Sequence, residues 1–99
     1  MYVLLLTTTL FLTTDPPSIT QGPNSQRISH GTIVHLVCRV KSLTSFQRKW
    51  YKDGELIINE TKEMIKIHGT LDSQGSYYCE VSSSNFSVKS QKASVTLSG

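Results

Sequence analysis

Polar and apolar residues alternate with period two through much of the chain. The alternation is clearest from Thr32, where Thr32, Val34, Leu36, Cys38 and Val40 share one face of a strand. The opposite face carries Ile33, His35, Val37 and Arg39 and is semi-polar, so the face with Leu36 and Cys38 is the one expected to be buried. A second run places Tyr77, Cys79 and Val81 on one side and Tyr78 and Glu80 on the other. Between them, Phe46–Tyr51 reads as a strand with Trp50 facing inward. Strict alternation then turns Arg48 inward too, and an unpaired buried guanidinium is very costly. Its head is expected at the sheet rim, in water or paired, unless a bulge shifts the register.

Shorter segments complete the pattern. Ser18-Ile19-Thr20 reads as an edge strand stopped by Gln21-Gly22-Pro23-Asn24, and Gln26–Ser29 runs into a turn at His30-Gly31. Lys52-Asp53-Gly54-Glu55 has the Asp-Gly signature of a tight hairpin. Short strands are predicted at Leu56–Ile58 and Met64–Ile67, a corner over His68–Gln74 and a turn at Ser82–Asn85. A last strand carries Ala93, Val95 and Leu97 at alternate positions. No stretch has a helical period. Seven to eight short strands with frequent turn signals predict an all-β sandwich or barrel.

Residues 1–14 contain no charged side chain and two apolar blocks, Val3–Leu6 and Leu10–Leu12. They read as a signal peptide, whose apolar stretch runs to about 7–15 residues, although the basic start is missing. The alternative is the end of a preceding domain, with Asp15-Pro16-Pro17 as a stiff linker. The block falls short of the roughly 20 apolar residues of a transmembrane helix, so attachment to a membrane is expected only through a segment not present in this chain. Residues 15–99 form the folded domain.

The two cysteines are 41 positions apart, each on the inward face of its own apolar strand. That places Cys38 and Cys79 to meet across two sheets, and a disulfide there suits a small secreted domain with a modest core. Two buried free thiols are the plain alternative. Metal binding lacks support, because His30, His35 and His68 are scattered and no ligand pair has metal spacing.

Three groups of residues in this order, Val34-x-Leu36-x-Cys38, Trp50-Tyr51-Lys52-Asp53-Gly54 and Gly75-x-Tyr77-x-Cys79, resemble the immunoglobulin superfamily from about Pro16 to Gly99. The resemblance implies a two-sheet antiparallel sandwich with one inter-sheet disulfide. It also implies that Trp50 packs on that disulfide beside Leu36, and that Tyr77 makes the tyrosine corner. The short cysteine spacing is similar to the compact C2 or I-type sets of Fc-receptor-like and adhesion proteins. One departure stands out. The family's acidic residue two positions before the glycine is replaced by Ser73, and Asp72 lies one residue earlier, as though Gln74 were inserted. A local distortion of the corner is expected, with Arg27, Arg39 and Lys62 as candidate partners for Asp72.

Composition narrows the function classes. Hydrophobic content of 37% and charged content of 17% exclude a disordered chain or a coiled coil. A net charge of +3 with a pI near 9.0 is mildly basic, but the charges are interleaved in sign. The nearest basic group, Arg39, Lys41, Arg48, Lys49 and Lys52, is spread over two strands and a loop. No nucleic-acid partner is therefore expected, and glycosaminoglycan binding has only this diffuse signal. No nucleophile–His–acid set, phosphate loop or cofactor motif is present, so neither catalysis nor a cofactor is expected. Two sequons, Asn59-Glu60-Thr61 and Asn85-Phe86-Ser87, fall in predicted turns and mark Asn59 and Asn85 as glycan acceptors.

The outward positions Lys49, Tyr51, Tyr78 and Glu80 form the candidate binding face, for a protein ligand or a homophilic partner. The plainer reading is that its tyrosines merely pair across strands. The function expected is that of a non-catalytic, extracellular or cell-surface recognition module. A spacer in a multi-domain chain is the rival, and a soluble glycosaminoglycan-binding domain a second one.

Overall fold

The computed structural model describes residues 16–98; the expectations for residues 1–14 lie outside them. Ten short strands are described: β1 (Ser18–Gln21), β2 (Gln26–Ser29), β3 (Ile33–Val37), β4 (Arg39–Lys41), β5 (Gln47–Lys52), β6 (Glu55–Leu56), β7 (Met64–His68), β8 (Gly75–Ser82), β9 (Ser87–Lys89) and β10 (Ala93–Ser98). The one helical piece among the described residues is a 3-10 turn at Leu71–Ser73. One layer runs β2-β10-β8-β5-β6, with β9 also on β8. The other is built from the pairs β3–β7 and β1–β4, and β3 and β4 are one run interrupted at Cys38.

The expected antiparallel sandwich is therefore present with one exception, since β2 lies parallel to β10. More strands appear than the alternation predicted. The long run through Cys38 is split in two, and β9 adds a strand that the alternation did not identify.

Inward residues of both layers meet in one core. Leu36 from β3 and Ile65 and Ile67 from β7 face Trp50, Tyr77, Cys79, Val81, Ala93 and Val95, and Ile28 of β2 joins the core from the same layer as Trp50. Each buried side chain of this size stabilises the fold by about 1.5–3 kcal/mol relative to exposure. The Cys38–Cys79 disulfide ties the layers together with Cα atoms 6.4 Å apart, within the range a disulfide spans. The Trp50 ring is fully buried, and its indole N–H donates to the Lys62 carbonyl at 2.9 Å.

The Asp-Gly hairpin forms as predicted. Asp53 (φ 51°) and Gly54 (φ 85°) both take left-handed backbone, as a two-residue turn matched to strand twist requires, and Lys52 pairs with Glu55. The strand expected over Leu56–Ile58 stops at Leu56. Ile57 donates one last bond to the Trp50 carbonyl at 2.8 Å, and the chain then turns through Asn59 at φ 69°. Ile58 consequently faces solvent, 75% exposed.

Arg48 keeps its register, because β5 and β8 pair without a shift from Gln47↔Ser82 to Lys52↔Tyr77. Its guanidinium is only partly satisfied. One terminal nitrogen donates to the Thr61 carbonyl at 3.2 Å and the group lies 5.4 Å from the centre of the Phe46 ring, while Nε is buried with no hydrogen-bond partner among the described residues. Burial pulls its pKa below the ordinary arginine value, partly offset by the charge of Glu63.

At the corner, Tyr77 donates its hydroxyl proton to the Ser73 carbonyl at 2.6 Å, making the tyrosine corner. The chain rounds this corner in the 3-10 turn, closed by reciprocal Thr70–Ser73 hydrogen bonds. The Gln74 side-chain oxygen accepts the Leu97 amide at 2.8 Å. Asp72 finds none of its three candidate partners. The one salt bridge among the described residues joins Arg39 to Glu63 at 3.4 Å, and Lys52 donates instead to the main-chain carbonyl of Asp72. Gly69 holds the corner against β2: a Cβ there would collide with the Ser29 carbonyl oxygen.

Candidate functional site

Adjacent residues of a strand face opposite ways, so burying Trp50 and Cys79 turns their neighbours outward. The pairing then aligns those neighbours in rows across the layer. One row runs Lys49, Glu80, Lys89 over β5, β8 and β9. The next runs Leu56, Tyr51, Tyr78 over β6, β5 and β8. All four residues of the expected binding face, Lys49, Tyr51, Tyr78 and Glu80, are thus brought together.

The Tyr51 and Tyr78 rings stack with centroids 4.9 Å apart and planes 9° from parallel. The pairing read as the plainer alternative therefore occurs, and it builds a flat aromatic surface that is only half-buried. Glu80 pins this surface: one carboxylate oxygen accepts the Tyr51 hydroxyl at 3.0 Å and the other accepts Ser87 at 2.8 Å. The Lys89 ammonium lies 5.6 Å from the Tyr78 ring centre, a cation–π contact.

The electrostatics follow from these contacts. The Ser87 hydrogen bond, helped by the Tyr51 bond and by Lys89 and Lys49, holds the Glu80 carboxyl below the ordinary glutamate value against an opposing burial effect. The Tyr51 phenol is raised, first by its bond to Glu80 and then by burial. A carboxyl with a lowered folded pKa contributes stability above its unfolded pKa, and that contribution is lost as pH falls through the folded value. Glu80→Gln should therefore lower the Tm at neutral pH. The gap from wild type should close on acidification below the ordinary value of 4.5, as measured by thermal melts across pH. A gap that persists in acid would show that the network does not depend on ionised Glu80.

Ser87 and Lys89 belong to this face, and sequence reasoning missed both. Their signal is the alternation of Phe86 and Val88 with Ser87 and Lys89 just after the Ser82–Asn85 turn. It is short, and it breaks at Ser90, where the side chain takes over a strand's role. The Cys79 amide donates to the Ser90 hydroxyl at 3.0 Å, while the Ser90 amide donates to the Cys79 carbonyl at 2.9 Å.

Other candidates are not assembled. Of the five basic residues singled out, Arg39 and Lys41 lie in one layer and Arg48, Lys49 and Lys52 in the other. Arg39 is paired with Glu63 and Lys52 is turned to Asp72, so no single basic patch forms from them. Among the described residues no three His, Cys, Asp or Glu side chains approach closely enough to hold a metal ion. Asn59 and Asn85 are both exposed and lie outside the strands, as glycan acceptors need to be.

Known proteins place this architecture. The profile of the family described as "Immunoglobulin domain" matches residues 16–83. The mouse protein named mucosa-associated lymphoid tissue lymphoma translocation protein 1 homolog is 30% identical over 76 residues, which are 76% of this chain. The chain spans only 9% of that curated relative's length. Among solved structures, the tandem Ig repeats of Dlar superpose with a TM-score of 0.76 at 22% identity, over 84% of this chain and 46% of that one. Titin domain M7 gives a TM-score of 0.71 at 25% identity, over 84% of this chain and 94% of the other. With the disulfide, the buried Trp50 and the Tyr77 corner in place, and with more than half of its length matched, the chain belongs to the immunoglobulin domain family.

Proposed function

We propose that this domain is a non-catalytic, extracellular recognition module, and that it engages a protein partner through the outer face of the β5–β8 layer. The observation that carries this reading is the Tyr51–Tyr78 stack, held by Glu80 and flanked by Lys49 and Lys89. Two half-exposed aromatic rings held rigid offer large contact area at little further entropic cost, the usual make-up of an interface hot spot. The disulfide and the two exposed sequons support an oxidising, secretory route. The likeness to tandem Ig repeats favours a second reading, a spacer between neighbouring domains with no ligand of its own.

Multimerised domain presented to cells and to beads coated with the same domain separates the two. Wild type should bind one or both surfaces. Tyr51→Ala/Tyr78→Ala should weaken that binding by about tenfold or more, as losing a hot spot of roughly 1.4 kcal/mol requires. Losing the stack costs only about 0.5–1.5 kcal/mol beyond buried area, so the variant should stay folded at 25 °C. Lys66→Ala, on the other layer, should bind as wild type. Undiminished binding by the double variant would sink the proposed face, and no binding by wild type would favour the spacer.

A further inference from the structure

Away from the aromatic face, β7 forms an open edge of the second layer, since among the described residues its only partner is β3. The bonds bracketing the pair set which groups face outward. The Cys38 amide donates to the Glu63 carbonyl and the Gly69 amide to the Thr32 carbonyl, both at 2.7 Å. In an antiparallel ladder the residues in step with these, Ile65 and Ile67, bond toward β3. The amides of Met64, Lys66 and His68 therefore point away from β3 and find no acceptor among the described residues.

Beside this edge runs a groove of about 330 Å3, walled by Ile57, Ile65, Ile67 and Tyr77 and also lined by charged side chains that include Glu60 and, on the edge itself, Lys66. An unpaired strand edge next to an apolar groove is a template for pairing with another chain, and native proteins cover or blunt such edges. The sequence supplies a cover. The segment forming one wall carries the sequon Asn59-Glu60-Thr61: Ile57 and Glu60 line the groove, while Ile58 and Asn59 between them in sequence are exposed. The sequon has no competing use, because neither the Asn59 nor the Thr61 side chain makes a hydrogen bond to the described residues. Thr61 offers Arg48 only its main-chain carbonyl.

We infer that Asn59 carries an N-linked glycan that lies over the β7 edge and its groove, covering Ile58 and preventing the edges of two copies from pairing. The inference rests on the extracellular reading above, because the glycan is added only on the secretory route. Asn85, at the tip of the β8–β9 hairpin, has no part in this role.

The full chain secreted from a eukaryotic cell line is the test, with three readouts. Peptide mass analysis before and after enzymatic deglycosylation should find a glycan on Asn59. Sedimentation velocity should find the glycosylated protein monomeric. Thr61→Ala, which abolishes the acceptor and keeps the left-handed Asn59, should self-associate with rising concentration. Hydrogen exchange at Met64, Lys66 and His68 in that variant should slow as it associates. Adding Lys66→Pro, which removes one outward amide and leaves the ladder to β3 intact, should restore the monomer. Asn85→Gln alone should remain monomeric.

A glycan on Asn85 with Asn59 bare would overturn the inference while leaving the extracellular reading standing. Failure of both sites to be modified would overturn the inference and remove the glycan support for that reading. A glycosylated Asn59 with a Thr61→Ala variant that stays monomeric would overturn the covering role by itself.

Discussion

Reducing the Cys38–Cys79 bond, or replacing both cysteines by alanine, should cost this domain about 4 kcal/mol, the amount expected for a closed loop of this length. Total stability for a domain is of order 5–15 kcal/mol, so most of the margin goes. For a chain this size about 1 kcal/mol moves the Tm by roughly 4–8 °C, and a fall on the order of 20 °C follows. Trp50 is the one tryptophan in the chain and is fully buried, so its fluorescence reports the transition directly. Thermal melts with and without reductant measure the difference. A Tm change under about 5 °C would show that packing between the layers suffices without the cross-link.

Trp50→Ala should be comparably damaging, at about 3–5 kcal/mol, because it empties the middle of a closed core. The indole ring sits between layers with no exposure, and its N–H satisfies the Lys62 carbonyl on the connection between β6 and β7. Trp50→Phe divides the two contributions, keeping an aromatic ring and losing the hydrogen bond, and should cost less. Circular dichroism during urea unfolding follows all three proteins. Equal losses in the alanine and phenylalanine variants would assign the role of Trp50 to the Lys62 bond rather than to volume.

The framework was legible because burial and strand geometry write themselves into neighbouring residues. Cys38, Trp50, Tyr77 and Cys79 each sit in an alternating run, and the order of those runs carries the resemblance. The outward grouping of Lys49, Tyr51, Tyr78 and Glu80 was legible for the same reason, as outward positions are what remain once the inward ones are assigned. What stayed hidden depends on contacts across the fold. Nothing beside Gly69 in the sequence signals that its backbone packs against Ser29. The strand at Leu56–Ile58 has the right composition, yet the left-handed turn at Asn59 ends it early. Asp72 looked like one half of an ion pair, but Arg39 is taken by Glu63, a competition visible only in three dimensions. Lys89 and Ser87 escaped notice because Ser90 replaces a strand's hydrogen bonds with its side chain and cuts the run short.

The parallel pairing of β2 with β10 also bears on how the chain matures. Gln26 near the start is matched with Val95 near the end, and Ile28 with Leu97. During synthesis β2 must wait for β10 to leave the ribosome before its neighbour exists. Contacts so distant in sequence close slowly and late. The β3–β7 and β5–β8 pairs can form first, leaving Ile28 without its shelter until β10 has been made. A chain cut short before β10 would leave the flank of β2 uncovered and open to aggregation.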